Sequence, residues 1–308
     1  MKKVVILGGG TGLSTLLKGL KQFPLDITAI VAVSDDGSST GKLREEFNIP
    51  AVGDLRQVIV SLSETEPLVA KLMNYRFKTK SDLNGHALGN LLLAGLIDIA
   101  GNMSTGIESL SKVLNLKGRV LPLTEDNVTL MAEMEDSTII EGEHHITEDE
   151  RKIKRIFYKE NPVISSQVID AIKEADLIVL SMGSLFTSVL PNLLSNDIIK
   201  AIDESKADLM YTCNLMTQPG ETDDFKVSDH IKTFNSYLGN KKINVVIANN
   251  GIIDEEIKQK YAVKEQKDPV ILDDLDIKVI EDNFVMITDG MIRHDTTKLG
   301  FYIFSYLL

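Results

Sequence analysis

The chain has 308 residues, 43% of them apolar, enough to bury a sizeable core and too many for a disordered polymer. Its 33 Lys and Arg stand against 45 Asp and Glu, a net charge of −12 that excludes a general nucleic-acid binder, so any phosphate ligand must be held by local positive groups or by a metal. A single cysteine, Cys213, excludes a disulfide framework within the chain and suits a reducing cytoplasm.

The apolar run Val4-Val5-Ile6-Leu7 predicts a strand, and Leu13 to Leu20 a helix with Leu13, Leu16, Leu17 and Leu20 on one face. Between them stands Gly8-Gly9-Gly10-Thr11-Gly12. Strand, glycine turn and helix form the layout of a phosphate-binding loop. Glycines let a ligand touch the backbone, and the free N–H groups and dipole of the helix favour an anion. Two familiar motifs nearly fit. A dinucleotide fingerprint starting at Gly8 and Gly10 meets Leu13 where its third glycine belongs, and a Walker A loop meets Leu13-Ser14-Thr15 where it needs Gly-Lys-Ser/Thr. The loop therefore indicates phosphate without selecting NAD or ATP.

A second β-branched run, Ile27 to Val33, ends in Ser34-Asp35-Asp36-Gly37-Ser38. Paired acids at a strand end fit Mg²⁺ beside phosphates, which makes Asp35 and Asp36 the candidate metal ligands; Asp35 also stands where the dinucleotide fold keeps its ribose-binding acid. A turn with solvated charge explains the same residue types. In Gly53-Asp54-Leu55-Arg56, Asp54 is expected to cap the next helix, and Arg56 falls in its first turn, an unfavourable place for a cation unless an anion is near. Gly85-His86-Ala87-Leu88-Gly89-Asn90 opens an apolar helix, with His86 and Asn90 on one face, either satisfying each other or facing a ligand. That helix is too short to span a bilayer and carries Asn90 and Asp98, so no membrane insertion is expected.

A period-two pattern from Val120 to Ile140 predicts a β-hairpin insertion, followed by an acidic stretch in which His144-His145 are expected to be solvated. Strand and helix then alternate again. Leu177-Ile178-Val179-Leu180 leads into Gly183-Ser184, whose hydroxyl either caps a helix or serves a second anion site. The strand at Leu209 to Cys213 ends at Asn214 with Thr217 close behind, and that at Val245 to Ala248 ends at Asn249. Strands ending in small or polar residues form one crevice rim if the sheet is parallel. Asp295 is expected to cap a last helix whose first turn holds Thr296 and Thr297, a candidate site of regulatory phosphorylation. The reading is an α/β fold with a mainly parallel sheet and helices on both faces.

Taken together, these loops resemble, in fixed order and over nearly the whole chain, those of the gluconeogenesis factors, which share a superfamily with the 2-phospho-L-lactate transferases of coenzyme F420 synthesis. The resemblance implies a single Rossmann-like nucleotide-binding domain over 1–308, with the hairpin insertion at about 118–150, and a homodimer. In the transferase branch the site binds a guanine nucleotide and Mg²⁺ and moves a phospholactyl group. In the gluconeogenesis-factor branch the similar site holds a UDP-sugar, and the proteins support cell shape and envelope synthesis during gluconeogenic growth. The chain is similar to the second branch above the first. A non-catalytic sensor read by an unidentified protein partner and a Mg²⁺-dependent transferase using Asp35 or Asp36 thus both stand, with an NAD-binding oxidoreductase as a weaker third. No residue stands out as a general base, which favours the sensor only mildly because phosphoryl transfer needs little side-chain chemistry.

Overall fold

The computed structural model describes residues 1–308, apart from the side chain of Ser38. The first half runs β1 (Lys2–Gly8), α1 (Gly10–Leu20), β2 (Leu25–Val31), α2 (Ser38–Phe47), α3 (Gly53–Leu62), α4 (Pro67–Asn74), α5 (Leu88–Ala100), α6 (Met103–Val113) and β3 (Arg119–Pro122). An excursion follows: β4 (Leu130–Met134), β5 (Ile139–Glu141), α7 (Glu143–Glu148) and β6 (Ile153–Tyr158). The second half comprises α8 (Ser166–Lys173), β7 (Leu177–Leu180), a π-helical turn (Leu185–Val189), a 3-10 turn (Leu190–Leu193), α9 (Asn196–Glu204), β8 (Asp208–Thr212), α10 (Val227–Tyr237) and β9 (Val245–Asn249). It closes with α11 (Glu255–Glu265), β10 (Lys278–Asp282), β11 (Val285–Thr288), β12 (Met291–His294) and α12 (Thr296–Tyr306).

Seven strands form one sheet in the order β10-β9-β8-β7-β1-β2-β3, every neighbouring pair parallel. The apolar run of β1 shows why. Val4 and Ile6 enter the core on one face, while Val5 and Leu7 enter the core on the other. A strand buried on both faces needs an unbroken apolar sequence, and parallel sheets covered by helices supply that environment. From β1 the chain builds outward to β2 and β3, then returns to β7 and builds the other way. The gap at the carboxyl ends of β1 and β7 is therefore a topological switch point, the place where ligands enter open α/β sheets.

The antiparallel insertion is present as a three-stranded sheet in the order β5-β4-β6. The Val120-Leu121 run is not part of it. Val120 packs in one core and Leu121 in the other, and β3 pairs in parallel with β2 as an edge of the main sheet. Asp295 caps α12, accepting from the Lys298 N–H at 2.9 Å. Asp54 does not cap α3: Val52 is the cap residue and Asp54 lies inside the first turn. A small separate core of Leu215, Ile253, Tyr261 and Ile292 supports α11 and the β11–β12 hairpin.

Candidate functional site

At the switch point a cavity of about 550 Å³ opens between the turns after β1 and β7. Gly10 begins α1 with φ +52°, a conformation that favours glycine, and Gly9, the cap residue, offers no side chain to the free N–H groups. A Cβ on Gly12 would come within 2.5 Å of the Met182 carbonyl and 2.6 Å of Gly183, so a side chain there would drive the two turns apart. The Ser184 Oγ accepts from the Thr187 N–H at 3.1 Å, capping the π-helical turn, and donates to the carboxylate of Glu221, which is 6% exposed. The Phe186 N–H at 3.1 Å and the Gln218 side chain also donate to Glu221. That buried carboxylate, whose pKa burial pushes up, thus anchors the second turn.

One wall of the cavity is acidic. Asp35, Asp54 and Glu143 line it together, although Glu143 comes from α7 in the insertion. Burial, then the charges of Asp35, Asp54 and Asp36, push the Glu143 pKa well up, and Glu143 shares a hydrogen bond with Asp35. Burial and then the charge of Asp35 push Asp54 up to about 7, against the opposing pull of the Gly10 N–H and Arg56. The loop carrying Asp35 is pinned from behind by Arg44, whose Nη1 donates to the carbonyls of Ser34 and Asp35 at 2.9 and 3.1 Å.

The opposite wall is carried by the small separate core. Lys267, Arg293 and His294 line the cavity from the α11 and β12 segments. His294 donates from Nε2 to the Cys213 carbonyl at 3.1 Å, and burial lowers its pKa to about 4, so it is neutral at physiological pH. Cys213 is a buried core thiol, its pKa raised by burial to about 12.

Of the residues singled out in the sequence, Gly10, Thr11, Gly12, Asp35, Asp54, Gly183, Ser184, Asn214 and Thr217 line this cavity. The others do different work. Gly8 is the last residue of β1 and Gly9 the cap of α1. Asp36 accepts from the His144 N–H at 2.9 Å and, unlike Asp35, does not line the cavity. Ser34 is buried behind the loop, Gly37 caps α2, and Ser38 has a side chain outside the described residues. Asn249 ties its own turn, donating to the Gly251 carbonyl at 3.0 Å and accepting from the Phe284 N–H at 2.9 Å. Arg56 is only 4% exposed and donates from Nε to Asn90 Oδ1 at 2.9 Å; His86 is also buried, with no partner for its Nδ1 among the described groups. His144 and His145 are exposed, as expected. Thr296 and Thr297 do not line the cavity; Thr297 is exposed, and its hydroxyl accepts from the Gln22 side chain at 3.4 Å.

Sequence reasoning missed Glu143, Glu221, Lys267, Arg293 and His294. The first sits in a stretch that reads as solvated charge, and of the two cations Lys267 lies in a loop just after α11 and Arg293 in the short strand β12, neither within a motif.

Comparison with known proteins agrees with this architecture. A profile described as 2-phospho-L-lactate transferase CofD matches residues 4–285. The gluconeogenesis factor of Halalkalibacterium halodurans is 47% identical over 306 residues, covering 97% of this chain and 94% of that protein. The gluconeogenesis factor of Bacillus subtilis is 45% identical over 304 residues, with coverage of 97% and 96%. A crystal structure of a UPF0052-family protein from Bacillus halodurans superposes with a TM-score of 0.94 at 46% identity, over 98% of this chain and 99% of that one. With similarity of this extent along the chain and through the fold, the protein belongs to the CofD family and stands within it among the gluconeogenesis factors.

Proposed function

We propose that the crevice holds a nucleotide, a UDP-sugar above all, and that the chain is a cytoplasmic regulatory protein whose ligand state is read by a protein partner, supporting cell shape and envelope synthesis during gluconeogenic growth. The observation that carries the reading is the meeting of the two turns at Gly12 and Gly183, which puts the backbone of Gly10 to Gly12 and of Gly183, at the positive end of α1, on a cavity with Lys267 and Arg293 among its lining residues. In a chain of net charge −12 these are the local positive groups that a diphosphate requires.

A second reading, a Mg²⁺-dependent transferase of the 2-phospho-L-lactate transferase type, is favoured by the acidic wall. Mg²⁺ is held by one or two carboxylates together with phosphate oxygens. Asp35 and Asp54 fit that need, with Glu143 as a neighbour whose proton a cation would displace; Asp36, engaged by His144, does not. Bound there, Mg²⁺ would neutralise charge on the phosphates, while the glycine turns orient them.

A homodimer fits the apolar outer face of α4 and α5, where Leu68, Leu72, Leu92 and Ile99 are exposed; light scattering checks it. Thr296 and Thr297 are the proposed phosphorylation sites, because a phosphate there faces the positive end of α12. Mass spectrometry of protein from growing cells that finds both unmodified removes this element. The principal test is a thermal-shift screen of UDP-sugars, GDP and NAD, with and without Mg²⁺. Ligand at a hundredfold excess over Kd stabilises by about 2.7 kcal/mol, and the UDP-sugars should give the largest shift. Stabilisation by NAD with none by any UDP-sugar overturns the proposal.

A further inference from the structure

Two buried arginines differ in a way that points to a second ligand site. Arg44, 7% exposed, spends all three guanidinium nitrogens on protein oxygens: Ser34 O, Asp35 O, Val128 O and Asn127 Oδ1. It is a satisfied structural cation. Arg56, 4% exposed, donates from Nε to Asn90 Oδ1 and from Nη1 to Asn74 Oδ1, and among the described residues nothing accepts from its Nη2. Among the described residues both of its side-chain acceptors are neutral asparagines and the favourable acidic charge is that of Asp54, although buried charges are ordinarily paired directly.

A second guanidinium stands close by. Arg76 lies on the connection between α4 and α5, where its Nη1 donates to the Gly85 carbonyl at 2.8 Å and reaches Ser39 Oγ at 3.5 Å. Burial lowers the proton affinity of Arg56, and the charge of Arg76 lowers it further, more than the Asp54 charge restores it. A buried cation and an exposed one of like charge are thus neighbours: Arg76 bridges to Ala87, and two residues on, a Cβ at Gly89 would lie 2.7 Å from Arg56 Cδ. Beside Arg76 begins α2, capped by Gly37, which offers no side chain to the first-turn N–H groups. The connection that Arg76 grips also carries His86, 6% exposed, whose buried Nδ1 has no partner among the described groups.

We infer that Arg56 and Arg76, with Ser39 and the amino end of α2, form a binding site for a compact oxyanion, a phosphate or carboxylate group, separate from the crevice between the glycine turns. An oxyanion there would accept from Arg56 Nη2 and from Arg76, relieve the repulsion between the two guanidiniums and meet the positive end of α2. The two sites are neighbours. Around Gly53, a Cβ would lie 3.3 Å from Asp35 Oδ2, 2.8 Å from Thr40 Oγ1 and 3.9 Å from Asn90 Nδ2, and Asn90 in turn holds Arg56. The anion is therefore either the distal group of the crevice ligand or a separate molecule bound alongside it. Neither the choice between sensor and transferase nor the identity of the crevice nucleotide bears on whether the site exists.

The test is calorimetric titration of the whole chain with inorganic phosphate at low ionic strength, using the Arg293→Glu protein so that the basic wall of the crevice does not compete. Saturable binding is expected, weakened at least about tenfold by Arg76→Glu, a substitution at an exposed residue that the fold tolerates. Arg56→Lys, which keeps the charge but loses the fork, should weaken it less. Competition separates the two sources. If UDP-glucuronate displaces phosphate from the wild-type protein and UDP-glucose does not, the anion is the distal carboxylate of the crevice ligand; if phosphate binds alongside both, it is a separate molecule. Absence of saturable phosphate binding, or binding unchanged by Arg76→Glu and Arg56→Lys in folded proteins, overturns the inference.

Discussion

The two walls of the crevice are made in opposite ways. Asp35 and Asp54 belong to segments locked into the main sheet and its helices, and Arg44 clamps the Asp35 loop from behind. Lys267 and Arg293 hang on a small separate core of four buried side chains, Leu215, Ile253, Tyr261 and Ile292. Arg293 is exposed, and Lys267 pairs with Glu265 at 3.0 Å. A wall with a large core under it holds its geometry; a wall on a small one opens locally at lower cost. The acidic side is therefore the rigid wall of the crevice, and the basic side is the one that adjusts at lower cost.

This contrast can be broken most severely at the glycine turn. Gly10→Val places a β-branched side chain at φ +52° and within 3.4 Å of the Asp54 carboxylate. Nucleotide binding should fall below detection by calorimetry while circular dichroism still reports a folded protein; unchanged binding would place the site elsewhere. Asp35→Asn should come next. It keeps shape and removes charge, so nucleotide affinity should drop about tenfold in Mg²⁺ and much less without it. An equal loss in both conditions would mean that Asp35 contacts the ligand directly and seats no cation. On the adjustable wall the effects should be smaller. Arg293→Ala and Lys267→Ala should each weaken binding about threefold to tenfold, with a loss that shrinks as salt rises. A loss larger than that of Asp35→Asn would reverse the assignment of the two walls.

The smallest effect is on stability. Folding raises the pKa of Glu143, and of Asp54 to about 7, from ordinary carboxylate values, so the folded state keeps protons that the unfolded chain has released. That contribution is complete below the unfolded values near about 4 and is lost as pH climbs through the folded ones. Glu143→Gln, which never ionises, should raise Tm by about 3 °C at pH 8 and by less at pH 5. A Tm unchanged or lowered at pH 8 contradicts the acidic-wall electrostatics.

The same contrast explains what the sequence revealed. The fold was legible because β1, β2, β7, β8 and β9 are apolar runs followed at once by small or polar residues, a local pattern that a parallel sheet converts into one rim. Gly10, Gly12, Asp35, Gly183 and Ser184 were legible for the same reason: each follows within four residues of a strand's carboxyl end. Glu143 was not, because its role depends on how the antiparallel insertion folds back over the crevice, and nothing in Glu141 to Glu150 distinguishes it from its solvated neighbours. Asp36 stands outside the cavity for the complementary reason. Adjacent residues in an extended segment point apart, so a pair of acids in sequence is seldom a pair in space. Val120-Leu121 reads as one arm of a hairpin, but its alternate residues enter two different cores, which only a sheet covered on both faces provides.

The most direct measurement is a crystal structure of the protein soaked or grown with a UDP-sugar and Mg²⁺. The account predicts the diphosphate against the backbone of Gly10 to Gly12 and Gly183, the cation on Asp35, and Lys267 and Arg293 drawn toward the phosphates. A UDP-sugar bound with its diphosphate away from both glycine turns would contradict it.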